Sequence, residues 1–326
     1  MPNKYRDAFM ASPGPNTWRQ AGLLWLKGLC MGVADIIPGV SGGTMAFITG
    51  IYGDLLEAIT SFGGRFFGRL LRLDLVGALR EVHLRFLLPL MLGVGVALVS
   101  MARLMHYLLE YHPVPVWALF FGLIAASIVV IGRRAERRGA DWWLSLALGA
   151  AAGFVVVGLI PVTTPDELWF IFLAAMVAIC AMILPGISGA FILLLLGKYV
   201  YVTSALRDPF DPRNMLIIVV FACGAALGLA GFSRVLKWLL ARWHDLTVAA
   251  LTGFMIGAMR KIWPWKEVVE SRVVSGKVYV VQEQNVWPPD FDGEFWLAVA
   301  MALVGLIAVL ILERVSSRRA ALHPER

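Results

Sequence analysis

The chain has 326 residues, of which 59% are hydrophobic and only 16% are charged. An ordinary soluble domain has about 25% charged residues, so the composition excludes that class and predicts an integral membrane protein. The net charge of +7 would suggest nucleic-acid binding in a soluble protein, but here the basic residues lie in short segments between apolar runs, where they orient the chain. We therefore expect the lipid bilayer as a partner and no nucleic acid.

A polar leader, residues 1–20, precedes the first apolar run and is rich in proline and glycine. It lacks the apolar core of a cleavable signal sequence, so we expect it to be retained. The three cysteines, Cys30, Cys180 and Cys223, lie singly inside apolar segments and indicate neither a disulfide framework nor a zinc site. The sequence predicts no metal and no organic cofactor.

A helix-breaking motif follows the first apolar run, residues 21–37, and returns 147 positions later inside another apolar run. The two copies read Pro38-Gly39-Val40-Ser41-Gly42-Gly43 and Pro185-Gly186-Ile187-Ser188-Gly189-Ala190, and Gly50 and Tyr52 recur in the same register as Gly197 and Tyr199. Proline and glycine interrupt helices. In hydrocarbon an interrupted helix survives only where protein or a polar ligand satisfies its backbone groups, so the breaks are the candidate site.

Apolar segments follow each break in the same order. The stretch 63–85 carries arginines at helical spacing between phenylalanines and leucines, which is typical of a helix lying on the membrane surface; a solvated loop is the alternative. The apolar segment that leads out of each break, here called the outgoing arm, is predicted over 45–62 and 191–206. The segment that leads into the second break, its incoming arm, is 170–184. The predicted spans are 87–111, 116–131, 142–160, 215–240, 246–259 and 295–312.

This order predicts two repeats, residues 21–160 and residues 168–313. If each broken pair is a hairpin that does not cross, each half crosses three times, so the second repeat is inverted. The predicted fold is an all-α polytopic membrane protein with two inverted-topology repeats, each a broken, re-entrant helical hairpin plus three transmembrane helices. If each broken segment instead crosses twice, inversion still follows, but the inner and outer ends of the spans exchange.

Loop charges test the topology independently. With the N-terminus inside, arginines concentrate in the internal loops, whereas the external loops 112–115 and 161–167 contain no lysine or arginine. This pattern obeys the positive-inside rule, with Arg260 and Lys261 as exceptions. The basic tail, residues 314–326, is then cytoplasmic, as is the N-terminus.

A polar insertion, residues 263–294, separates the last two spans and has no counterpart in the first half. We predict that it is extracytoplasmic and contains a short strand hairpin turning at Ser275-Gly276. An unspecific covering role is the simplest interpretation of this insertion.

The paired breaks are suited to an anion. Each is expected to offer free amides and a serine hydroxyl where a helix begins, which favours phosphate or carboxylate. The alternative is that glycine and proline only allow tight packing. The predicted substrate-binding residues are Pro38, Gly39, Ser41, Gly42, Gly43, Thr44, Arg103, Pro185, Gly186, Ser188, Gly189 and Arg234.

Charged residues inside the apolar segments add three candidates. Arg103 and Arg234 recur 131 positions apart, and inversion would bring them near opposite membrane faces, where each would receive a headgroup from one leaflet; snorkelling is the alternative. Asp35 precedes the first break, whereas its counterpart is Met182. We predict that Asp35 carries a coupling ion, H⁺ or Na⁺; hairpin capping or pairing with Arg103 is the alternative. Weaker candidates are Lys27, Glu57, His106 and Lys198.

The segments GVADIIPGVSGGTMAFITGIY and ILPGISGAFILLLLGKY resemble the bacterial polyprenyl-phosphate transporter family known as PopT, over about residues 20–315. The resemblance implies a flippase that moves undecaprenyl phosphate from the outer to the inner leaflet of the cytoplasmic membrane, recycling the carrier lipid of cell-wall synthesis. The residues that match the family motifs are Asp35, Pro38, Gly39, Ser41, Gly42 and Gly43, then Pro185, Gly186, Ser188 and Gly189.

Two other functions are alternatives to a lipid-phosphate transporter. A channel or exchanger for a small inorganic anion would use the same paired breaks around a closed pore. A membrane enzyme needs a nucleophile with a base or a metal cluster, but the five histidines are scattered and no HExxH motif occurs. We therefore predict a transporter coupled to an ion gradient, and not an enzyme.

Overall fold

The computed structural model describes residues 4–36, 41–133, 138–160, 162, 164–206, 208–274, 277–288 and 290–322. The helices are α1 (Lys4–Ala11), α2 (Trp18–Ile36), α3 (Gly42–Ile48), α4 (Tyr52–Thr60), α5 (Gly64–Leu71), α6 (Leu75–Glu81), α7 (Leu84–Tyr111), α8 (Pro113–Arg133), α9 (Ala140–Val157), α10 (Leu168–Ile183), α11 (Gly189–Leu195), α12 (Tyr199–Ala205), α13 (Pro212–Arg242), α14 (His244–Ala258) and α15 (Gly293–Leu322). A 3₁₀ helix, Met259–Ile262, extends α14, and two strands, β1 (Lys266–Val274) and β2 (Lys277–Asn285), form an antiparallel hairpin.

Helices of membrane-spanning length dominate the described part of the chain. Five of them, α7, α8, α9, α13 and α15, are long and apolar enough to cross a bilayer, and α10 is a shorter apolar helix. The prediction of an α-helical, multi-pass membrane protein is confirmed, and five of the six predicted spans coincide with these helices. The sixth, 246–259, falls on α14, which has 15 residues and reaches a full span only with the 3₁₀ helix.

Long helices pack in four pairs, and the pairs follow the repeat. In the first repeat α2 packs against α7, and in the second α10 packs against α13. The remaining helices exchange partners between repeats, since α8 packs against α15 and α9 against α14. The third long helix of each repeat therefore packs against the fourth long helix of the other repeat, and these two pairs join the halves.

Repeat-related glycines lie at all four of these helix contacts. A Cβ on Gly93 would overlap the carbonyl oxygen of Trp25 on α2, and one on Gly224 would overlap that of Phe172 on α10. Gly122 lies in the same way against Ala302 on α15, and Gly253 against Leu146 on α9. The spacing of 131 between Gly93 and Gly224, and between Gly122 and Gly253, therefore marks equivalent close contacts between helix backbones.

Each predicted outgoing arm is two short helices instead of one. The arm 45–62 divides into α3 and α4, and the arm 191–206 into α11 and α12. The cause is the glycine pair Gly50 and Gly197, which adopt positive φ angles of 71° and 65°. Glycine in this conformation ends a helix, and the following amide of Ile51 donates back to the carbonyl of Ala46 at 3.0 Å.

The segments at the N-terminal end of α7 also depart from prediction. The stretch 63–85 forms two helices, α5 and α6, because Leu73 has a φ of 57° and the carboxylate of Asp74 caps α6 through the amide of Gly77. The polar leader contains α1 and is docked by Arg85, whose Nη1 donates to the carbonyl of Met10 at 2.7 Å.

The predicted strand hairpin is present as β1 and β2, although its turn residues, Ser275 and Gly276, lie outside the described residues. Trp263 anchors its base, because its indole donates to the carbonyl of Val286 at 2.9 Å and its ring packs edge-on against Phe121 of α8. The amide side chain of Asn285 donates to the carbonyl of Arg260 at 2.8 Å. The insertion is therefore attached to α8 and to the end of α14.

Replacing Gly122 by alanine tests the helix contacts. The new methyl group has no space against the backbone of Ala302, so we expect a loss of about 1–3 kcal/mol of stability. Thermal unfolding of purified protein in detergent should show a melting temperature several degrees lower. Gly95→Ala on α7 is the matched control, because no atom lies within 4 Å of its added Cβ; equal melting temperatures for both variants would contradict the packing.

Candidate functional site

The two breaks meet each other. The first turn of α3 lies against the end of α10, where a Cβ on Gly43 would be 2.7 Å from the carbonyl oxygen of Met182 and 2.8 Å from that of Ile183. Gly43 is therefore required for close approach of the two backbones. The parts of the breaks that the structure describes form one contiguous site, while Pro38 and Gly39, two of the predicted substrate-binding residues, lie outside the described residues.

Among the residues that the structure describes, three hydrogen bonds join the breaks, and all three use side chains of the first repeat. The hydroxyl of Ser41 donates to the carbonyl of Met182 at 3.2 Å, and the hydroxyl of Tyr52 donates to the carbonyl of Ile183 at 3.0 Å. In the opposite sense, the amide of Gly186 donates to the hydroxyl of Thr44 at 2.9 Å. Ser41 and Thr44 have no exposed surface, and the bonds of Tyr52 and Gly186 are buried, so side chains of the first repeat satisfy backbone groups of the second break inside the protein.

The expectation of free amides at the helix starts is wrong for the amides whose bonds the structure describes. Ser41 and Ser188 are N-caps: their hydroxyl oxygens accept from the amides of Thr44 at 3.3 Å and Phe191 at 3.1 Å. The amide of Gly42 donates to the carboxylate of Asp35 at 2.6 Å. The physical reason is that a broken helix buried in protein must satisfy its amides internally, and nearby hydroxyl and carboxylate oxygens do so at least cost.

Asp35 thus occupies the start of α3. A Cβ on Gly42 would lie 2.6 Å from the second carboxylate oxygen of Asp35, so glycine is needed for this approach. Its counterpart Met182 instead presents a main-chain carbonyl to Ser41. An anion at the start of α3 would therefore meet the carboxylate of Asp35.

The second break is packed into the bundle by its glycines. Gly186 has a φ of 102°, and a Cβ there would lie 3.0 Å from that of Ala258 on α14. A Cβ on Gly189 would lie 2.9 Å from the carbonyl oxygen of Ala178 on α10. Pro185 is fully buried beside them and has no amide to satisfy.

The two arginines lie away from the breaks. Arg234 is exposed and its guanidinium donates to the carbonyl of Phe62, between α4 and α5, at 3.3 Å. Arg103 is also exposed, and within the described ranges it makes no hydrogen bond or ion pair. Neither guanidinium donates to a described residue of either break. These arginines could therefore act at the breaks only through a bound substrate or after a movement of the protein.

Among the weaker candidates, two lysines hold the ends of the outgoing helices. The ammonium of Lys27 donates to the carbonyl of Thr49, after α3, at 2.8 Å. Lys198, after α11, is 1% exposed and its ammonium donates to the carbonyl of Thr164 at 2.8 Å and to the carboxylate of Asp166. Glu57 pairs with Lys237 at 3.5 Å, and the side chain of His106 lies outside the described residues.

Residues that the sequence pattern did not single out complete the site. In the sequence Tyr52 is marked only by the repeat, yet it bonds across the breaks, while its counterpart Tyr199 packs against the hydrophobic cluster that contains Ile187 and Phe191. No sequence pattern marks Asp166. Within the described ranges, no group of three or more histidine, cysteine, aspartate or glutamate residues is placed to hold a metal ion.

Comparison with known proteins identifies the family. The VCA0040-like family, described as undecaprenyl phosphate translocase-like, matches residues 31–279, most of the chain. The chain belongs to this family. The polyprenyl-phosphate transporter of Vibrio cholerae serotype O1 is 38% identical over 301 residues, which cover 90% of this chain and 96% of the relative. The polyprenyl-phosphate transporter of Staphylococcus aureus is 29% identical over 254 residues, covering 73% and 85%. No solved structure matches the chain.

These matches confirm the resemblance found in the two motifs, and they confirm a transporter and not an enzyme as the class of the protein. The family match extends from the end of α2 across both breaks and β1 to the start of β2. The roles of individual residues at the breaks stay predictions.

Thr44→Val tests the bond between the breaks. Valine keeps the shape of the side chain but leaves the amide of Gly186 without an acceptor, so we expect a loss of about 1–3 kcal/mol in thermal unfolding. Thr44→Ser should restore most of this stability. Thr60→Val on α4 is the control, because the Thr60 hydroxyl bonds only within its own helix. A Thr44→Val protein as stable as the control would contradict the bond.

Proposed function

We propose that this protein is a flippase that moves undecaprenyl phosphate from the outer to the inner leaflet of the bacterial cytoplasmic membrane. In this role it returns the carrier lipid for reuse in cell-wall synthesis. Support for the substrate class comes from the names of the two relatives, both polyprenyl-phosphate transporters, and from the family description. The five apolar helices of spanning length are consistent with a carrier that works within the bilayer.

In the proposed topology the two repeats are inverted, their hairpins are re-entrant, and both chain termini are cytoplasmic. Two contacts support the proposal that each hairpin returns to the membrane side from which it enters. Lys27, midway along α2, bonds to the turn after α3, and the amide of Val162, in the loop before α10, donates to the carbonyl of Leu195 at the end of α11 at 2.8 Å. The distribution of arginines between loops gives the same orientation.

The observation that carries the proposed mechanism is the direct contact of the two breaks, with the carboxylate of Asp35 at their edge. Glycines at both breaks let backbone approach a headgroup. The hydroxyls of Ser41 and Thr44 hold the two breaks together beside it, and the hydroxyl of Ser188, whose oxygen accepts the amide of Phe191, can donate its proton to phosphate. Arg103 and Arg234 are proposed to receive the headgroup from the two leaflets. The prenyl tail stays in lipid while the phosphate crosses about 30 Å of hydrocarbon.

Ion coupling is proposed through Asp35. Moving an anion inward against an inside-negative potential costs about 2.3 kcal/mol per charge per 100 mV. A proton on Asp35 removes the charge that competes with phosphate at the start of α3 and accompanies the substrate inward, whereas sodium would compensate the charge by binding the carboxylate. Protonation therefore links substrate binding to the gradient.

Reconstitution into liposomes tests the function. We expect purified protein to move labelled undecaprenyl phosphate between leaflets, and Arg103→Ala and Arg234→Ala to reduce that rate at least tenfold without loss of insertion. Arg213→Ala, an exposed arginine at the other end of α13, is the control and should retain the rate. Flux of chloride or phosphate without any lipid movement would instead favour a channel or exchanger for a small inorganic anion.

Asp35→Asn tests the coupling. The asparagine oxygen can still accept the amide of Gly42, so the cap survives while the titrating group is lost. We expect transport by the variant to become independent of an imposed pH gradient, measured in the same liposomes. Asp54→Asn, an exposed acid on the same hairpin, should keep the wild-type dependence on the gradient. An unchanged gradient response in Asp35→Asn would exclude Asp35 as the carrier.

A further inference from the structure

A second charged site lies between the insertion and the second break. One carboxylate oxygen of Glu283, on β2, is 3.3 Å from the ammonium of Lys261 and 3.6 Å from that of Lys266. Lys261 belongs to the 3₁₀ helix and Lys266 begins β1. These three residues, here called the insertion site, are separate from the hydrogen-bonded contact of the two breaks.

Lys266 is an unusual member of the insertion site. Its side chain is 92% buried, since its exposed fraction is 8%, and its ammonium has no hydrogen-bond acceptor among the side chains and backbone groups described. The ammonium lies 3.6 Å from the ring centroid of Trp117 on α8. Burial lowers the pKa of Lys266 to about 8, although the charge of Glu283 opposes this effect.

The charges of the insertion site do not balance. Two ammonium groups share one carboxylate, which leaves one positive charge uncompensated. Burial would raise the pKa of Glu283, but the two lysines outweigh it and the pKa lies below its ordinary value, so this carboxylate is charged. A phosphate monoester carries about −1.5 to −2 charges and three acceptor oxygens, so it would compensate both lysines where the carboxylate compensates one.

The insertion site also adjoins the second break. The ammonium of Lys261 lies 5.1 Å from the ring centroid of Phe191, in the first turn of α11, and the amide of Phe191 is the one capped by Ser188. Both Lys261 and Glu283 retain about a quarter of their side-chain surface, 24% and 26%, so the site opens to the outside of the fold. A ligand held here would be next to the predicted substrate-binding residues.

We propose that Lys261 and Lys266 form a receiving site for a phosphate monoester, and that Glu283 is an internal competitor that the phosphate displaces. This inference rests on the proposed function for its ligand: in a lipid-phosphate flippase the site takes the headgroup before it reaches the breaks. The shared chemistry is a phosphate dianion, which either the lipid headgroup or free phosphate can supply. Glu283 is on the insertion and not on a spanning helix, so it can leave without disturbing the helix pairs.

Binding of radiolabelled farnesyl phosphate to the full chain in detergent tests the proposal. Glu283→Gln keeps the shape of the side chain but removes the competing charge, so we expect about tenfold tighter binding. Lys261→Gln and Lys266→Met should each weaken binding about tenfold, and combining either with Glu283→Gln should abolish the gain. Glu267→Gln is the matched control, because it removes an exposed acid from the same hairpin. Melting temperatures of all variants are measured alongside.

The outcomes separate this inference from the proposed function. If wild-type protein moves undecaprenyl phosphate in liposomes but Glu283→Gln binds farnesyl phosphate no more tightly than Glu267→Gln, the inference fails and the proposed function stands. A gain that persists without both lysines also overturns the inference. If labelled inorganic phosphate binds and shows the same gain in Glu283→Gln while farnesyl phosphate does not bind, the insertion site is a site for free phosphate, and its assignment to the lipid headgroup fails. Farnesol should show no gain in any variant.

Discussion

Hydrocarbon offers no hydrogen bonds, and this fold depends on how it meets that constraint at two interrupted helices. Ser41, Thr44 and Tyr52 bond to two carbonyls and an amide of the second break, so these described groups find their partners inside the protein. The same bonds hold the two repeats together near their broken segments, whereas glycine contacts between helix backbones hold them elsewhere. The candidate site is therefore the place where hydrogen bonds, in addition to close contacts between helix backbones, join the two repeats.

The repeat is symmetric in helices and asymmetric in chemistry. Thr44 corresponds to Phe191, and Asp35 to Met182, so the hydroxyl that accepts the Gly186 amide and the acid at the start of α3 occur in one repeat alone. The repeated backbone forms a pair of equivalent breaks, while their side chains differ in charge and in the hydrogen bonds they make. In the proposed cycle this difference assigns the titrating group to the first hairpin and the contact with the insertion to the second.

Much of this arrangement was predictable from repeat spacing. The 147-residue register predicted both breaks, and the 131-residue spacing also relates the glycines that the structure places at equivalent helix contacts. Gly50 and Gly197, which divide the outgoing arms, recur in the 147-residue register, but an apolar run of that length favours one helix unless the glycine conformation is known. The hydrogen-bond acceptors of the amides at the breaks were not predictable, since they depend on tertiary contacts between residues such as Thr44 and Gly186.

Lys261 illustrates the same limit. Its position contradicts the positive-inside rule, which counts charges along the sequence and cannot count the carboxylate of Glu283 that lies beside it after folding.

The bonds between the breaks have a mechanical consequence. Parting the two hairpins would break all three described bonds together and leave two carbonyls and an amide without partners. In a medium without water this would cost several kcal/mol. The hairpins should therefore stay together as one rigid body. Alternating exposure to the two leaflets would then come from the paired helices α8, α9, α14 and α15 shifting around a static centre, and not from a clamp that opens in the middle.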